Sequence, residues 1–199
     1  MAAPTATAGT KGDRTRQRVL EIAVQRFAVD GYRRTSVSDI ARDADLTPAA
    51  VYAYFAGKEA LFQAAVDADA SALIDESRHE VEGLPMREGL GAIVSVLVTR
   101  VADHPLAARV LSGREPDLID RLLDLPSLQR LTEDVAAGIE FAQAEGEVRK
   151  DVDARVIAEG LESIVLSLLM SSLQARVGAD SPRAVATRAV LDAALRPAS

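Results

Sequence analysis

The chain reads as all-α, with about nine helices marked out by hydrophobic period. Its apolar residues recur at spacings of three and four almost from end to end. No stretch alternates apolar with polar between turn residues, so nothing argues for a strand. Residues that start and stop helices stand at the edges of the periodic segments: Ser36, Thr47, Pro48 and Pro182 at starts, Gly31 and Gly57 at ends. The composition, 48% apolar and 27% charged over 199 residues, is that of a soluble globular protein able to bury a core.

Several function classes are excluded early. There is no Cys, hence no disulfide framework and no thiolate metal site, and only two His, His79 and His104. No metal-ligand spacing, phosphate-cradling glycine loop or G-x-S-x-G motif is present, so neither a cofactor nor an enzymatic activity is expected. The opening MAAPTATAGTKGD lacks a basic segment followed by an apolar core and reads as a disordered tail over residues 1–12. The longest nearly uncharged run, SIVLSLLMSSLQA, is shorter than the roughly 20 residues that span a bilayer. No membrane partner is expected, and a cytoplasmic location is.

The charge is unevenly distributed. The net formal charge is −7, yet residues 1–58 hold nine Lys/Arg against six Asp/Glu, while residues 59–199 hold fourteen against twenty-four. A basic end on an acidic body suits a nucleic-acid-binding segment.

Taken in order, segment 13–29 sets Leu20, Ala23 and Phe27 on one face, and Gly31 ends it. Ser36 with Asp39 three residues on makes a start like a capping box, and Val37, Ile40 and Ala41 form the inward stripe. After the turn Ala44-Asp45-Leu46, Thr47 caps the next helix and Pro48 takes its first position, where no N–H is needed. Gly57 breaks that helix and Lys58 begins a long one to Glu82. Helices follow at 86–103, 105–112 and 115–145, the last bent near Leu125-Pro126, then at 153–178 and from Pro182 to Arg196. His104, before Pro105, suits a helix cap or a pocket wall.

Two short helices joined by a tight turn, with a third before them, make a helix-turn-helix, whose second helix enters the major groove by its N-terminal end. Val51 and Phe55 share the inward face with Leu46, which leaves Pro48, Ala49, Ala50 and Tyr52 outward at the leading end. Small residues let a helix backbone sit deep in a groove about 12 Å wide. Proline and alanine can touch a thymine methyl but cannot bond guanine in bidentate fashion. The hydroxyls of Tyr52 and Tyr54, and Lys58, can reach phosphates.

The segment RQRVLEIAVQRFAVDGYRRTSVSDIARDADLTPAAVYAYFAGKEALF resembles the DNA-binding domain of the tetracycline-repressor (TetR) family. Phe27-Ala28-x-x-Gly31-Tyr32, Thr35-Ser36-Val37-x-x-Ile40-Ala41, Val51-Tyr52-x-Tyr54-Phe55 and Gly57-Lys58-Glu59-x-Leu61 carry the resemblance. It implies a helix-turn-helix domain over 13–58 and a helical effector-binding and dimerisation domain over 59–199. It also implies a transcriptional regulator, a repressor, acting on a palindromic operator in double-stranded DNA. Phosphate contacts would fall to Thr35, Ser36, Thr47, Tyr52, Tyr54 and Lys58, and base contacts to Pro48, Ala49, Ala50 and Tyr52. Arg14 and Arg16 would be either an N-terminal arm on the DNA or a frayed, solvated end. Asp45 stands where the family commonly has glycine; Asp is among the few residues that tolerate a left-handed backbone. The lack of a long polar side chain at Pro48 and Ala49 moves readout toward methyl contacts and DNA shape. The alternatives of other classes are an all-helical enzyme or lipid carrier with an apolar cavity, and an interaction protein that keeps the fold without an effector.

Within 153–178, Ile157, Leu161, Ile164, Leu168, Ser171 and Ala175 recur at alternating spacings of four and three, a coiled-coil-like seam. With Ala186, Ala189 and Ala193 of the closing helix they form the expected homodimer interface. The resemblance also implies a small, mostly apolar effector. Its expected pocket draws on Phe62, Val94, Leu97, Leu111, Phe141, Leu166 and Met170, with Arg100, His104 and Glu162 as polar fixtures.

Overall fold

The computed structural model describes residues 10–119, 121–175 and 178–197. Most of the expected N-terminal tail, residues 1–9, lies outside them, as do residues 176–177 near the expected end of the 153–178 helix. The described residues are helical with no strand. The chain divides into two compact units, up to Val66 and from Asp67 onward.

The first unit holds α1 (Lys11–Arg34), α2 (Val37–Asp43), α3 (Pro48–Tyr52) and the first turns of α4 (Lys58–Glu80). Helix α1 begins earlier than its hydrophobic stripe suggests. Thr10 accepts from Asp13 N–H while the Asp13 carboxylate accepts from Thr10 N–H, a reciprocal capping box that carries the helix into the expected tail. Gly31 (φ 78°, ψ 168°) interrupts the helix as expected, and a last turn resumes to Arg34. The Ser36 hydroxyl accepts from Asp39 N–H and donates to the Asp39 carboxylate at 2.6 Å, closing the start of α2. The turn that follows needs one left-handed residue, and Asp45 supplies it at φ 55°. Thr47 then accepts from Ala50 N–H at 3.2 Å and caps α3, with Pro48 in its first turn. Val19, Ala23, Phe27, Ile40, Val51, Leu61 and Phe62 form the core of this unit.

The second unit contains the rest of α4, α5 (Met86–Arg100), α6 (Pro105–Leu111), α7 (Pro116–Ile119), α8 (Pro126–Glu145), α9 (Ala154–Ala175) and α10 (Pro182–Leu195). The single bent helix expected over 115–145 is instead α7, a 3-10 turn at Leu122–Asp124, and α8. Pro126 takes a first-turn position of α8, where its missing N–H costs nothing, so the chain restarts a helix there rather than kinking one. Gly146 (φ 81°) closes α8 with a left-handed cap. Val94 of α5, Ala136 and Ile139 of α8, Ala158, Leu161 and Leu168 of α9, and Leu191 and Leu195 of α10 share one core.

The joint between α4 and α6 is polar. Asp69, which is 8% exposed, accepts from the N–H groups of Leu106 and Ala107 at 2.9 and 2.8 Å. The N-terminal amides of α6 thus have a partner from another helix, since His104 at the cap position makes no side-chain cap bond. His104 is buried, its Nδ1 3.4 Å from Asp69 and its Nε2 3.5 Å from Glu76. Helix α9 requires one correction. Counted as a continuous helix rather than as an uncharged run, it is long and apolar enough to cross a membrane by length and composition.

Candidate nucleic-acid interface

The leading end of α3 is an outward surface of small side chains. Thr47, Pro48 and Ala49 are exposed and Ala50 is half-buried, while Val51 behind them is fully buried and fixes the rotation of the helix. Tyr52 is 53% exposed, enough for its ring and hydroxyl to stand clear of the domain. Helix α3 ends at Tyr52, so Tyr54 sits in the following turn with its hydroxyl near Gly12 at the start of α1. Phe55 turns inward and is buried. Segment 47–55 therefore presents six of the expected contact residues together, on a surface that Val51 and Phe55 anchor.

Other expected contacts depart from this picture. Thr35 is buried, and its hydroxyl is within hydrogen-bond distance of two carbonyl oxygens, Gly31 O at 2.9 Å and Arg26 O at 3.3 Å. It ties the end of α1 and offers nothing to a phosphate. Ser36 is committed to the cap of α2, with its oxygen half-buried. Lys58 donates to Arg33 O at 3.4 Å and holds its ammonium 4.5 Å from the Tyr32 ring, a cation–π contact. Arg14 and Arg16 are exposed residues inside α1, not an arm, and the Arg16 guanidinium lies 5.1 Å over the Phe55 ring.

Carboxylates govern the arginines around α2 and the turn. Arg18 pairs with Asp45 at 2.8 Å, Arg26 with Asp43 at 2.5 Å, and Arg42 with Asp39 at 2.6 Å. The Ser36 hydroxyl and then the Arg42 guanidinium hold the Asp39 carboxyl below the ordinary aspartate range. The exposed donors Ser38 and Arg42 on α2 were not among the expected contacts. Their position opposite Val37, Ile40 and Ala41 is the sequence signal that would have found them.

The remaining expected sites lie in the second unit, with one exception. Phe62 belongs to the first unit, its ring 4.9 Å from Phe27 and 5.0 Å from Tyr32, so it is core and not a pocket wall. Phe141 lines nothing in this structure: it is 70% exposed on α8. Val94, Leu97, Leu111 and His104 are buried, Leu166 and Met170 half-buried. Arg100 is drawn to Glu80, and Glu162 takes a hydrogen bond from Thr132 at 2.7 Å. A cleft of about 290 Å³, lined by Ser71, Ile74, Arg78, Ser127, Arg130 and Leu131 among others, opens between α4 and α8, where no sequence feature pointed.

The expected dimer seam divides. Leu161 and Leu168 are buried in the protomer's own core, so they are not interface residues. Ile157 and Ser171 are half-buried. Ile164, Ala175, Ala186, Ala189 and Ala193 are exposed, and around them so are Val156, Gly160, Val185 and Val190. Helices α9 and α10 thus carry an uncovered face of apolar and small residues, turned from the expected seam by roughly one position per turn.

Residues 19–65 match the family model for bacterial regulatory proteins of the tetR family. The HTH-type transcriptional regulator UidR of Escherichia coli K12 is 25% identical over 163 residues, 80% of this chain and 82% of that protein. The uncharacterized HTH-type transcriptional regulator YdgC of Bacillus subtilis is 26% identical over 195 residues, 91% of each. The crystal structure of a putative TetR-family regulator from a Rhodococcus species superposes with a TM-score of 0.74 over 92% of this chain and 99% of that one, at 21% identity. The matched residues span the three helices and the outward α3 surface described above, and the all-helical remainder has the same fold as these neighbours. The chain is a DNA-binding transcriptional regulator of the TetR family.

Proposed function

We propose that the protein is a homodimeric repressor that binds a palindromic operator and leaves it when a small, mostly apolar effector binds the second unit. The observation that carries the reading is the surface of segment 47–54: small residues lead, and two exposed tyrosines flank them. Such a surface enters a major groove closely and reads thymine methyls and shape more than guanine edges. Two copies related by a two-fold axis read two half-sites about 34–36 Å apart, or a multiple of that. The uncovered face of α9 and α10 supports such a pairing, since a helix apolar on several sides is stable only when covered on several sides. Pairing on that face also accounts for the hydrophobic character of α9 within a cytoplasmic protein that has no catalytic activity.

Selection from random duplexes tests this reading. The expected product is an inverted repeat, and Tyr52→Ala should weaken binding to it more than to unrelated DNA. Recovery of no inverted repeat would count against the proposal. Release by an effector is tested by reciprocity: operator DNA must weaken effector binding by the same factor by which the effector weakens operator binding.

A further inference from the structure

We propose that Glu162 is the recognition point for a protonated amine on an otherwise hydrocarbon ligand. The inference rests on the effector reading above and names the chemistry of that site. Glu162 lies midway along α9, between Ala158 and Leu161 on one side and Val165 and Leu166 on the other, all buried or half-buried. Across from it, α8 presents Thr132, itself 7% exposed. In this apolar layer the Oε1 of Glu162 is sealed from solvent and has no hydrogen-bond partner. Among the described residues its Oε2 has one hydrogen-bond partner, the Thr132 hydroxyl at 2.7 Å. That hydroxyl also lies 3.1 Å from Leu128 O. It has one proton and can serve only one of the two acceptors at a time. The carboxylate therefore keeps at most one donor, where an ionised carboxylate accepts several. Among the described residues no Lys, Arg or His lies within ion-pair distance of it.

Glu162 as a whole is half-buried, but a carboxylate oxygen sealed from solvent with neither donor nor counter-charge is unfavourable. What would relieve it is a donor carrying positive charge. A metal ion does not fit, because it needs several oxygen or nitrogen ligands and no group of three His, Asp or Glu among the described residues could hold one. An ammonium needs one carboxylate and tolerates hydrocarbon around its chain, which matches the layer. The balance of fourteen Lys/Arg against twenty-four Asp/Glu over residues 59–199 favours approach of a cation.

Titration calorimetry with octylammonium, 1-octanol and octanoate tests the assignment, because chain length is constant and only the head group changes. The full-length protein should bind octylammonium at least ten-fold more tightly than octanol, and octanoate least. Glu162→Gln keeps the shape and should bring amine and alcohol within about threefold of each other. Thr132→Val removes the one donor and should leave the preference for the amine intact. Glu162→Leu should raise the melting temperature while abolishing that preference, a pairing that a merely structural glutamate would not produce. Equal binding of amine and alcohol by the parent protein overturns the assignment, as does a preference that survives Glu162→Gln. If the alcohol and the amine bind alike and both release operator DNA, the effector reading stands and this assignment alone falls. If none of the three binds, the assignment also falls, and the effector reading is then decided by whether any compound releases operator.

Discussion

Removing the carboxylate of Asp69 should destabilise the protein by about 2–4 kcal/mol, from the two hydrogen bonds it accepts. Those bonds, from Leu106 and Ala107 N–H at 2.9 and 2.8 Å, cap a helix of only seven residues. A hydrogen bond to a charged group contributes about 1.5–3 kcal/mol, and a buried amide left without a partner costs about 1–3. Simple addition of two such bonds overstates the loss. Asp69→Ala opens space beside an 8%-exposed position, and a water can reach at least one of the amides. His104 also loses the carboxylate that stands 3.4 Å from its Nδ1. Both amides reach the same carboxylate oxygen, so Asp69→Asn keeps an acceptor for both but loses the charge, and it should cost roughly half as much. At about 2–4 °C per kcal/mol for a chain of this size, Asp69→Ala should lower Tm by roughly 5–15 °C. Urea unfolding followed by far-ultraviolet circular dichroism, at one fixed protein concentration, measures the change. A difference below about 0.5 kcal/mol for Asp69→Ala would refute the view that this side chain caps α6.

Three further outcomes follow from single sites. Asp45→Ala should be less stable than Asp45→Gly by about 1 kcal/mol, because φ 55° strains a Cβ that lacks a local polar partner, and urea midpoints of the two variants decide it. Ile164→Arg combined with Val190→Arg should give about 21.1 kDa by light scattering where the parent protein gives about twice that, with both melting alike when dilute; a dimer unharmed by the pair would place the interface elsewhere. Because its folded form binds a proton less readily, Asp39 contributes stability that is present above the ordinary aspartate value of about 3.9 and is lost as pH falls through the lowered value. Asp39→Asn should therefore flatten the stability curve in that acidic window and change its slope little near neutrality.

What the chain settles by itself is local. Ser36, Thr47, Pro48, Asp45 and Gly31 each act on their own backbone or that of residues a few positions away, and short-range hydrogen bonds and allowed dihedrals do not wait for a tertiary partner. The helix-turn-helix and its outward α3 surface were legible for that reason. The amphipathic stripes of α1 and α2 are one-sided, so their inner faces were legible too. Helix α9 is apolar on several sides, and its sequence is compatible with more than one rotation. Only packing against α5 and α8 put Leu161 and Leu168 inward and left Ile164 outward. Pro126 predicts an interruption, but whether a proline kinks one helix or starts another depends on where the flanking segments pack. Phe62 and Phe141 are equally apolar in sequence; one is enclosed by Phe27 and Tyr32, and the other faces solvent. Thr35 looks like any exposed hydroxyl beside a helix start until the end of α1 closes over it. The pairing of Asp69 with the amides of α6 spans 37 and 38 residues, and Thr132 meets Glu162 across 30. Contacts of that separation leave no periodic trace in a sequence, because they are decided by how whole helices pack and not by the neighbours of either residue.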